Sequence, residues 1–339
     1  MMNRRSFLQV TALTGGGMLL GLYAGTEAKA QFGRPAPLNP LAFVKIHPDG
    51  TVSLITGTQH IGQGHETTFP QILSTLLGIP DSQIHLRQGD TDLIPIGGGH
   101  GSSRATFMAG TAMARASEEI VKKGTALAAE MLEASEADIR FDAGHPEGGR
   151  FTVAGTDRSV GLVEVAAIGR DKGKPLDTYH FWKREHLTFP NGTHVAEVEV
   201  DPETGRVTLE RYSGVDDYGV MVNPMVVAGQ AHGAMAQGAG QALLERTTYD
   251  PRSGQMVAGT FMDYAMPRAD DLPSFRLGFN PTPCTTNPLG VKGCGEAGAI
   301  AAFPAIHNAV LDALAPLGVR NFDGPATPGR IWQAIAAAR

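Results

Sequence analysis

The sequence predicts an α+β protein of mixed α/β layers, organised as two intimate subdomains. Three observations predict it. Two pairs of alternating or β-branched runs are joined by turn signatures, one across His47-Pro48-Asp49-Gly50 and one across Asp201-Pro202-Glu203-Thr204-Gly205. Long Ala- and Gly-rich stretches of helical character lie between and after them. No segment repeats itself, so the strand pairs and helices pack as layers of one fold and not as a solenoid.

The elements follow in order. Strands are expected at 41–46 and 52–57, then a helix over 65–78 that Ile79-Pro80-Asp81 ends. A strand at 84–88 leads into a glycine-rich loop over 89–103, and helix in two pieces is expected from Arg104 to about Ser135. A short strand at 151–153, a helix at 162–168, and the second hairpin, 195–200 with 207–213, come next. A helix spans about 224–245, a Gly- and Pro-rich loop covers 283–296, another helix begins near Ala297, and a last one, 328–338, opens with Pro328-Gly329.

With 339 residues, 42% hydrophobic and 18% charged, the chain can bury a sizeable core and is too apolar to stay disordered. The net charge of −6, with no basic concentration, argues against nucleic acid or an anionic membrane as partner. Cys284 and Cys294 are the two cysteines, too few for an iron–sulfur cluster or a usual structural zinc. In an oxidising compartment a disulfide between them is the less favoured alternative to two free thiols.

Residues 1–30 have the parts of an export signal. Arg4-Arg5-Ser6-Phe7-Leu8 is followed by a weakly apolar, glycine-rich run and then Ala28-Lys29-Ala30, a small-x-small cleavage site. The paired arginines point to the twin-arginine pathway, and hence to a periplasmic protein exported already folded. An ordinary secretory signal or an uncleaved anchor is the alternative. Residues 31–40 form a linker and 41–337 the folded domain.

Four segments are candidates for chemistry. Gly62-Gln63-Gly64 sits between a strand and a helix, where backbone N–H groups can cradle an anion; a tight turn with a helix cap is the plainer account. The run from Gly97 to Arg104 joins flexible backbone to the hydroxyls of Ser102 and Ser103 and the guanidinium of Arg104, a set suited to oxyanions, or else it is a surface loop. In the helix after 224, Gln230, Gly233, Gln237 and Gln241 share one face. Such a stripe either lies against a polar, planar ligand or lets a neighbouring helix pack closely. Finally, Gly290-Val291-Lys292-Gly293-Cys294-Gly295-Glu296 brings one carboxylate to the start of an apolar helix, as a helix cap or as a desolvated general base.

Five stretches in sequence carry a resemblance: IGQGHETTFPQILSTLLGIP, QGDTDLIPIGGGHGSSRATFMAGTAMARA, VNPMVVAGQAHGAMAQGAGQALLE, NPLGVKGCGEAGAIAAFPAIHNAVLDAL and PATPGRIWQAI. Together they resemble the second molybdopterin-binding domain of the xanthine dehydrogenase family, which includes aldehyde oxidoreductases, carbon monoxide dehydrogenase and N-heterocycle hydroxylases. The resemblance implies that Gln63, with Gly62 and Gly64, lines a molybdenum–molybdopterin cofactor in its cytosine dinucleotide form. It implies that Ser102, Ser103 and Arg104 contact pterin and pyrophosphate, that Gln230 contacts the cofactor, and that Lys292, just upstream of Glu296, belongs to the cofactor-binding set from behind the residues in direct contact. Glu296 matches the family's active-site glutamate, the base in a hydroxylation that uses water as oxygen source. No side chain of this chain is implied as a direct metal ligand.

One departure shapes the expectation. In the family a long upstream region precedes this domain, and here an export signal stands in its place. The chain is therefore expected to work with a subunit supplying the first molybdopterin-binding half, an iron–sulfur subunit and a cytochrome as electron acceptor, on an aldehyde or aromatic N-heterocycle. The alternative is a non-catalytic remnant or assembly protein that keeps the fold.

Overall fold

A computed structural model describes residues 41–94, 97, 100–182 and 186–339. The export signal expected at 1–30 and the linker at 31–40 lie outside the described residues. Helices and three sheets alternate through the chain, in agreement with the α+β class.

The first lobe begins with β1 (Leu41–Ile46) and β2 (Val52–Thr56), antiparallel across the expected turn, in which Gly50 takes a φ of 85°. Ala42, Val44, Ile46, Val52 and Leu54 alternate inward and are buried, so a period of two fixes which face meets the core. Helix α1 (His65–Leu77) then crosses to β3 (Ile84–Arg87), which pairs parallel to β2. Gly78 ends α1 in the left-handed conformation, its N–H donating to the Ser74 carbonyl.

Helix α2 (Ala105–Met131) runs unbroken, where two pieces were expected. Its two interior glycines are packing points and not breaks. A Cβ on Gly110 would come within 2.6 Å of Leu289 Cδ1, and one on Gly124 would collide with the Phe151 ring. Close approach of a neighbour compensates for their poor helix propensity. Strands β4 (Ile139–Asp142), β5 (Arg150–Val153) and β6 (Ser159–Gly161) form a small antiparallel sheet that leads into α3 (Leu162–Asp171), and β7 (Thr178–Phe181) returns to pair with β1.

The second lobe starts with the long hairpin β8 (Asn191–Val200) and β9 (Val207–Asp217), closed by an Asp201 carboxylate that accepts from Glu203 N–H and Thr204 Oγ1. Both strands extend beyond the expected limits, and β10 (Arg276–Phe279) adds a parallel edge to β9. Helices α4 (Pro224–Leu243), α5 (Ala297–Leu314) and α6 (Pro328–Ala338) cover this sheet. By length and composition α5 could cross a membrane. Its Ala302, Ile306, Val310 and Leu314 are fully buried at four-residue spacing, the signature of a core-facing stripe. Cys284 and Cys294 are free thiols.

Each lobe has its own hydrophobic core. A small apolar cluster of Phe107, Met108 and Val291, with Trp182, Val222 and Leu289 against it, joins them at the seam. The glycines of α4 divide into two sets. Gly238 packs on α5, where a Cβ would lie 2.6 Å from Ala302 Cβ, whereas Gly229 and Gly233 are exposed with nothing within 4 Å. Close helix packing and an open face are thus both present, on different sides of one helix. Gly238→Ala should lose about 1–3 kcal/mol to overpacking. Gly229→Ala and Gly233→Ala should each gain up to about 1 kcal/mol of helix propensity in the chain by itself. Urea denaturation checks both signs.

Candidate active site

The seam between the lobes holds a cavity of about 550 Å³. Its first wall comes from the β2–α1 connection and the loop before α2, its second from the end of β9, the start of α4 and the loop before α5. Of the nine residues expected at a site, Gly62, Gln63, Ser103, Arg104, Gln230, Lys292 and Glu296 line it. Gly64 and Ser102 are not among the lining residues, and Ser102 is exposed.

Gly64 has a structural task there. It caps α1 with a φ of 80°, and a Cβ at that position would meet Val226 Cγ1 at 2.6 Å, so the absent side chain lets α1 begin against the start of α4. Ser102 and Ser103 both take positive φ, 50° and 48°, which is costly for residues with a Cβ and turns the loop toward the opposite lobe. The loop meets Gly293 there, where any side chain would collide with the Ser103 backbone.

That approach produces the central contact. Ser103 Oγ donates to Glu296 Oε2 at 3.2 Å and accepts from Glu296 N–H at 3.0 Å. Glu296 occupies the cap position of α5, but its side chain makes no cap bond; the carboxylate is turned across the seam. It is exposed, so desolvation of this group is not provided by the described residues alone. Lys292 hangs from the same loop. Its Nζ donates to Asp217 Oδ2 at 2.6 Å, and its N–H donates to the Tyr218 carbonyl. Asp217 also accepts from Gly219 N–H and Thr282 N–H. Burial works against the charge, but Lys292 and the two amides outweigh it and hold the Asp217 carboxyl down to about 2.

The helix starts explain the cavity's electrostatics. At α1, α2 and α5 no side chain caps the helix, and residues Gln63, Arg104 and Glu296 at these starts all line the cavity. Uncapped N-termini carry partial positive charge and open N–H groups. Asn223, which also lines the cavity, caps α4 through Val226 N–H, while α3 and α6, away from it, lack a side-chain cap as well. Gln63 is held locally, accepting from Ile61 N–H and donating to the Gln59 carbonyl.

Several lining residues were not singled out by the sequence. His65 is buried and stacks on Phe69 at 4.4 Å; burial, with His60 and His100 nearby, holds its pKa down to about 4. The Cys294 thiol is pushed up to about 11 by burial. Asp217 was legible at most as one of two acids ending a strand pattern, and nothing local tied it to Lys292. Among the described residues no group of three or more His, Cys, Asp or Glu side chains is arranged to hold a metal ion.

A two-lobed α+β chain whose seam joins uncapped helix starts, open glycine backbone and one carboxylate defines a binding domain for a large anionic cofactor. The chain belongs to the molybdopterin cofactor-binding domain family, whose model matches residues 4–273. It is 34% identical over 300 residues to the carbon monoxide dehydrogenase large chain of Hydrogenophaga pseudoflava, covering 86% of this chain and 36% of that one. It is 37% identical over 301 residues to the nicotine 6-hydroxylase large subunit of Paenarthrobacter nicotinovorans, covering 86% of this chain and 36% of that one. The fold superposes on quinoline 2-oxidoreductase from Pseudomonas putida 86 with a TM-score of 0.82 at 35% identity, over 93% of this chain and 40% of that one. The Cu,Mo-CO dehydrogenase structure gives a TM-score of 0.82 at 29% identity, over 99% of this chain and 46% of that one. These relatives are molybdenum-hydroxylase subunits, and this chain spans a little over a third of the length of the curated ones.

The residues present fit a pterin cofactor on two counts: a cavity within the range of cofactor sites, and a buried imidazole nitrogen of His65 with no partner. Asp217→Asn should cost about 3–5 kcal/mol at neutral pH by leaving the Lys292 ammonium unpaired. The folded carboxyl sits at about 2 against an ordinary 3.8, so its contribution is full above about pH 4 and is lost as pH falls through about 2. Stabilities of the two proteins should therefore differ by a constant amount from neutral pH to about pH 5 and draw closer in strong acid.

Proposed function

We propose that this chain is the molybdenum–molybdopterin-binding part of an oxidoreductase that hydroxylates an aldehyde or an aromatic N-heterocycle, with water as oxygen source. The observation that carries this reading is the Glu296 carboxylate, held by Ser103 in a cavity on which three uncapped helix starts open. When bound, the cofactor supplies the two-electron redox centre for the hydroxylation.

The chain's own residues then have separable tasks. Amides at the starts of α1 and α2, with Ser102, Ser103 and Arg104, would hold the cofactor's anionic end. Gln63 and Gln230 would meet the edge of the pterin, Gln63 by exchanging its present backbone partners. Gly229 and Gly233 leave the α4 face flat for a ring system. Glu296 is hydrogen-bonded through Oε2, and its Oε1 has no partner among the described residues, so that atom is placed to take a proton from the attacking oxygen. Lys292, pinned by Asp217, keeps the loop carrying Glu296 in register.

Partners belong to the same reading. A relative named as one subunit of a dehydrogenase complex supports a multi-subunit assembly; a subunit supplying the first molybdopterin-binding half, an iron–sulfur subunit and a cytochrome to receive electrons are proposed on the resemblance. The exposure of Glu296 supports it too, since a base that must work out of water needs a surface to close over it. The same exposure favours a second reading, a non-catalytic remnant or assembly protein. The cytosine dinucleotide form of the cofactor is proposed on the resemblance alone, and periplasmic location through the twin-arginine pathway on the Arg4-Arg5-Ser6-Phe7-Leu8 signal.

In the complex purified from its native host, Glu296→Gln should keep its molybdenum content while turnover falls about 10²–10⁴-fold, the span of a lost general base. Undiminished turnover would remove Glu296 from the chemistry and favour the remnant. Arg5→Lys should leave the protein in the cytoplasmic fraction. Unchanged export would end the twin-arginine reading.

A further inference from the structure

Strand β9 ends in two consecutive carboxylates, Asp216 and Asp217, and the chemistry above calls only on the second. Consecutive strand residues face opposite sides of a sheet, so the two acids serve different neighbours. Asp217 turns to Lys292. Asp216 turns to His194, whose Nε2 lies 3.0 Å from its Oδ1, and to Tyr218, whose hydroxyl donates to its Oδ2 at 2.9 Å. On the far side of the ring, His194 Nδ1 is 2.7 Å from the Tyr212 hydroxyl. The side chains of His194 and Asp216 are 2% and 3% exposed, and both tyrosines are buried, so the four groups satisfy one another.

The hairpin is built around this row. Gly192 stands opposite Asp216, and Gly214 opposite His194, in the β8–β9 register. A Cβ on Gly192 would lie 2.1 Å from Asp216 Oδ1, and one on Gly214 would lie 3.0 Å from His194 Cε1. Glycine weakens a strand, and here each one clears the space that the diagonal pair fills. Proton positions follow from the contacts. Burial, with the Asp216 charge second, raises the pKa of both tyrosine hydroxyls, so both keep their protons. Tyr218 gives its hydrogen bond to Asp216 and Tyr212 gives its own to His194 Nδ1. That nitrogen is then bare, and the ring hydrogen sits on Nε2, pointing at Asp216. Asp216 is thus a buried carboxylate held by two neutral donors.

We propose that Asp216, fixed by neutral His194, is a positioning residue for Glu296 and acts on it through Tyr218. Tyr218 lines the cavity, and its segment carries the loop that ends in Glu296. The Tyr218 carbonyl accepts from Lys292 N–H at 2.9 Å, Gly219 pairs with Val291, and Val220 N–H donates to the Gly290 carbonyl at 2.9 Å. Tied at its hydroxyl to Asp216 and at its carbonyl to Lys292, Tyr218 transmits the position of the buried carboxylate to the loop. Asp217 grips the same loop from the opposite face of the strand. Each acid therefore fixes one side of the support, and removing either lets the loop tilt about the other. The inference rests on the reading of Glu296 as the base and deepens it by naming what fixes that base from the core side.

A double-mutant cycle in the complex from the native host tests this. Tyr218→Phe removes one hydroxyl and keeps the ring. With molybdenum content and KM little changed, kcat should fall about 10–100-fold, the scale on which a displaced group costs rate. Combined with Glu296→Gln, the same substitution should cost no further rate, because the group it displaces is already gone. Asp216→Asn, which fills the same space without the charge, should show the same pattern, and it takes over if the tyrosine variant does not assemble. Equal losses with and without Glu296 would mark a general disturbance and overturn the inference, as would full turnover in the assembled single variants. A second readout needs no substitution. In the complex labelled with ¹⁵N-histidine, the His194 ring should show Nε2–H and a bare Nδ1; an imidazolium or an Nδ1–H ring overturns the inference. The broader reading fails by other signs. A native complex without molybdenum, or undiminished turnover in Glu296→Gln alone, sinks that reading and the inference with it, whereas additive losses in a molybdenum-loaded complex sink the positioning role alone.

Discussion

The reciprocal bond between Ser103 and Glu296 joins residues 193 positions apart, and the rest of the site is arranged to permit it. Two serines accept left-handed backbone so that the loop before α2 can reach the other lobe. Gly293 gives up its side chain so that the loop can arrive. Lys292 is locked to Asp217, which fixes the strand end and the loop to each other. The consequence is a carboxylate whose position is set by both lobes at once. Neither lobe could hold it in that place by itself.

The electrostatic design follows from the same seam. Helices usually begin with a Ser, Thr, Asp or Asn that satisfies the first amides. Here α4 and its Asn223 obey that habit at the cavity; α1, α2 and α5 begin there without a side-chain cap, as α3 and α6 do elsewhere. The omission destabilises each helix slightly and leaves hydrogen-bond donors turned toward a common space. A polyanion offsets that cost, and water does so less well because it brings no charge. Fold stability and ligand preference are thus set by the same absent side chains.

How far this was legible in the sequence varies with the range of the interaction. The hairpin at 47–50, the helix over 65–77 and the glycine-flanked Gln63 and Glu296 are local patterns, and each was visible as such. Strands β4, β6, β7 and β10 are three or four residues long, below the length at which alternation separates from chance, and they were missed. The interruption expected in α2 is absent, and its interior Gly110 and Gly124 are where Leu289 and Phe151 pack, neighbours that no local pattern reveals. Asp217 lies 75 positions from Lys292 and His65 looked like any polar residue at a helix start, so their roles emerged only with the packing. For the site, the motif residues were legible; the pairs that position them were not.

Helix α4 is thin along one side, since Gly229 and Gly233 meet nothing there. A helix of that kind frays easily in isolation and stiffens when a rigid ring system lies along it. Occupancy would then register as slowed amide hydrogen exchange along one helix, with little change of overall shape. Local rigidity of this sort offers a physical mark by which a loaded molecule differs from an empty one.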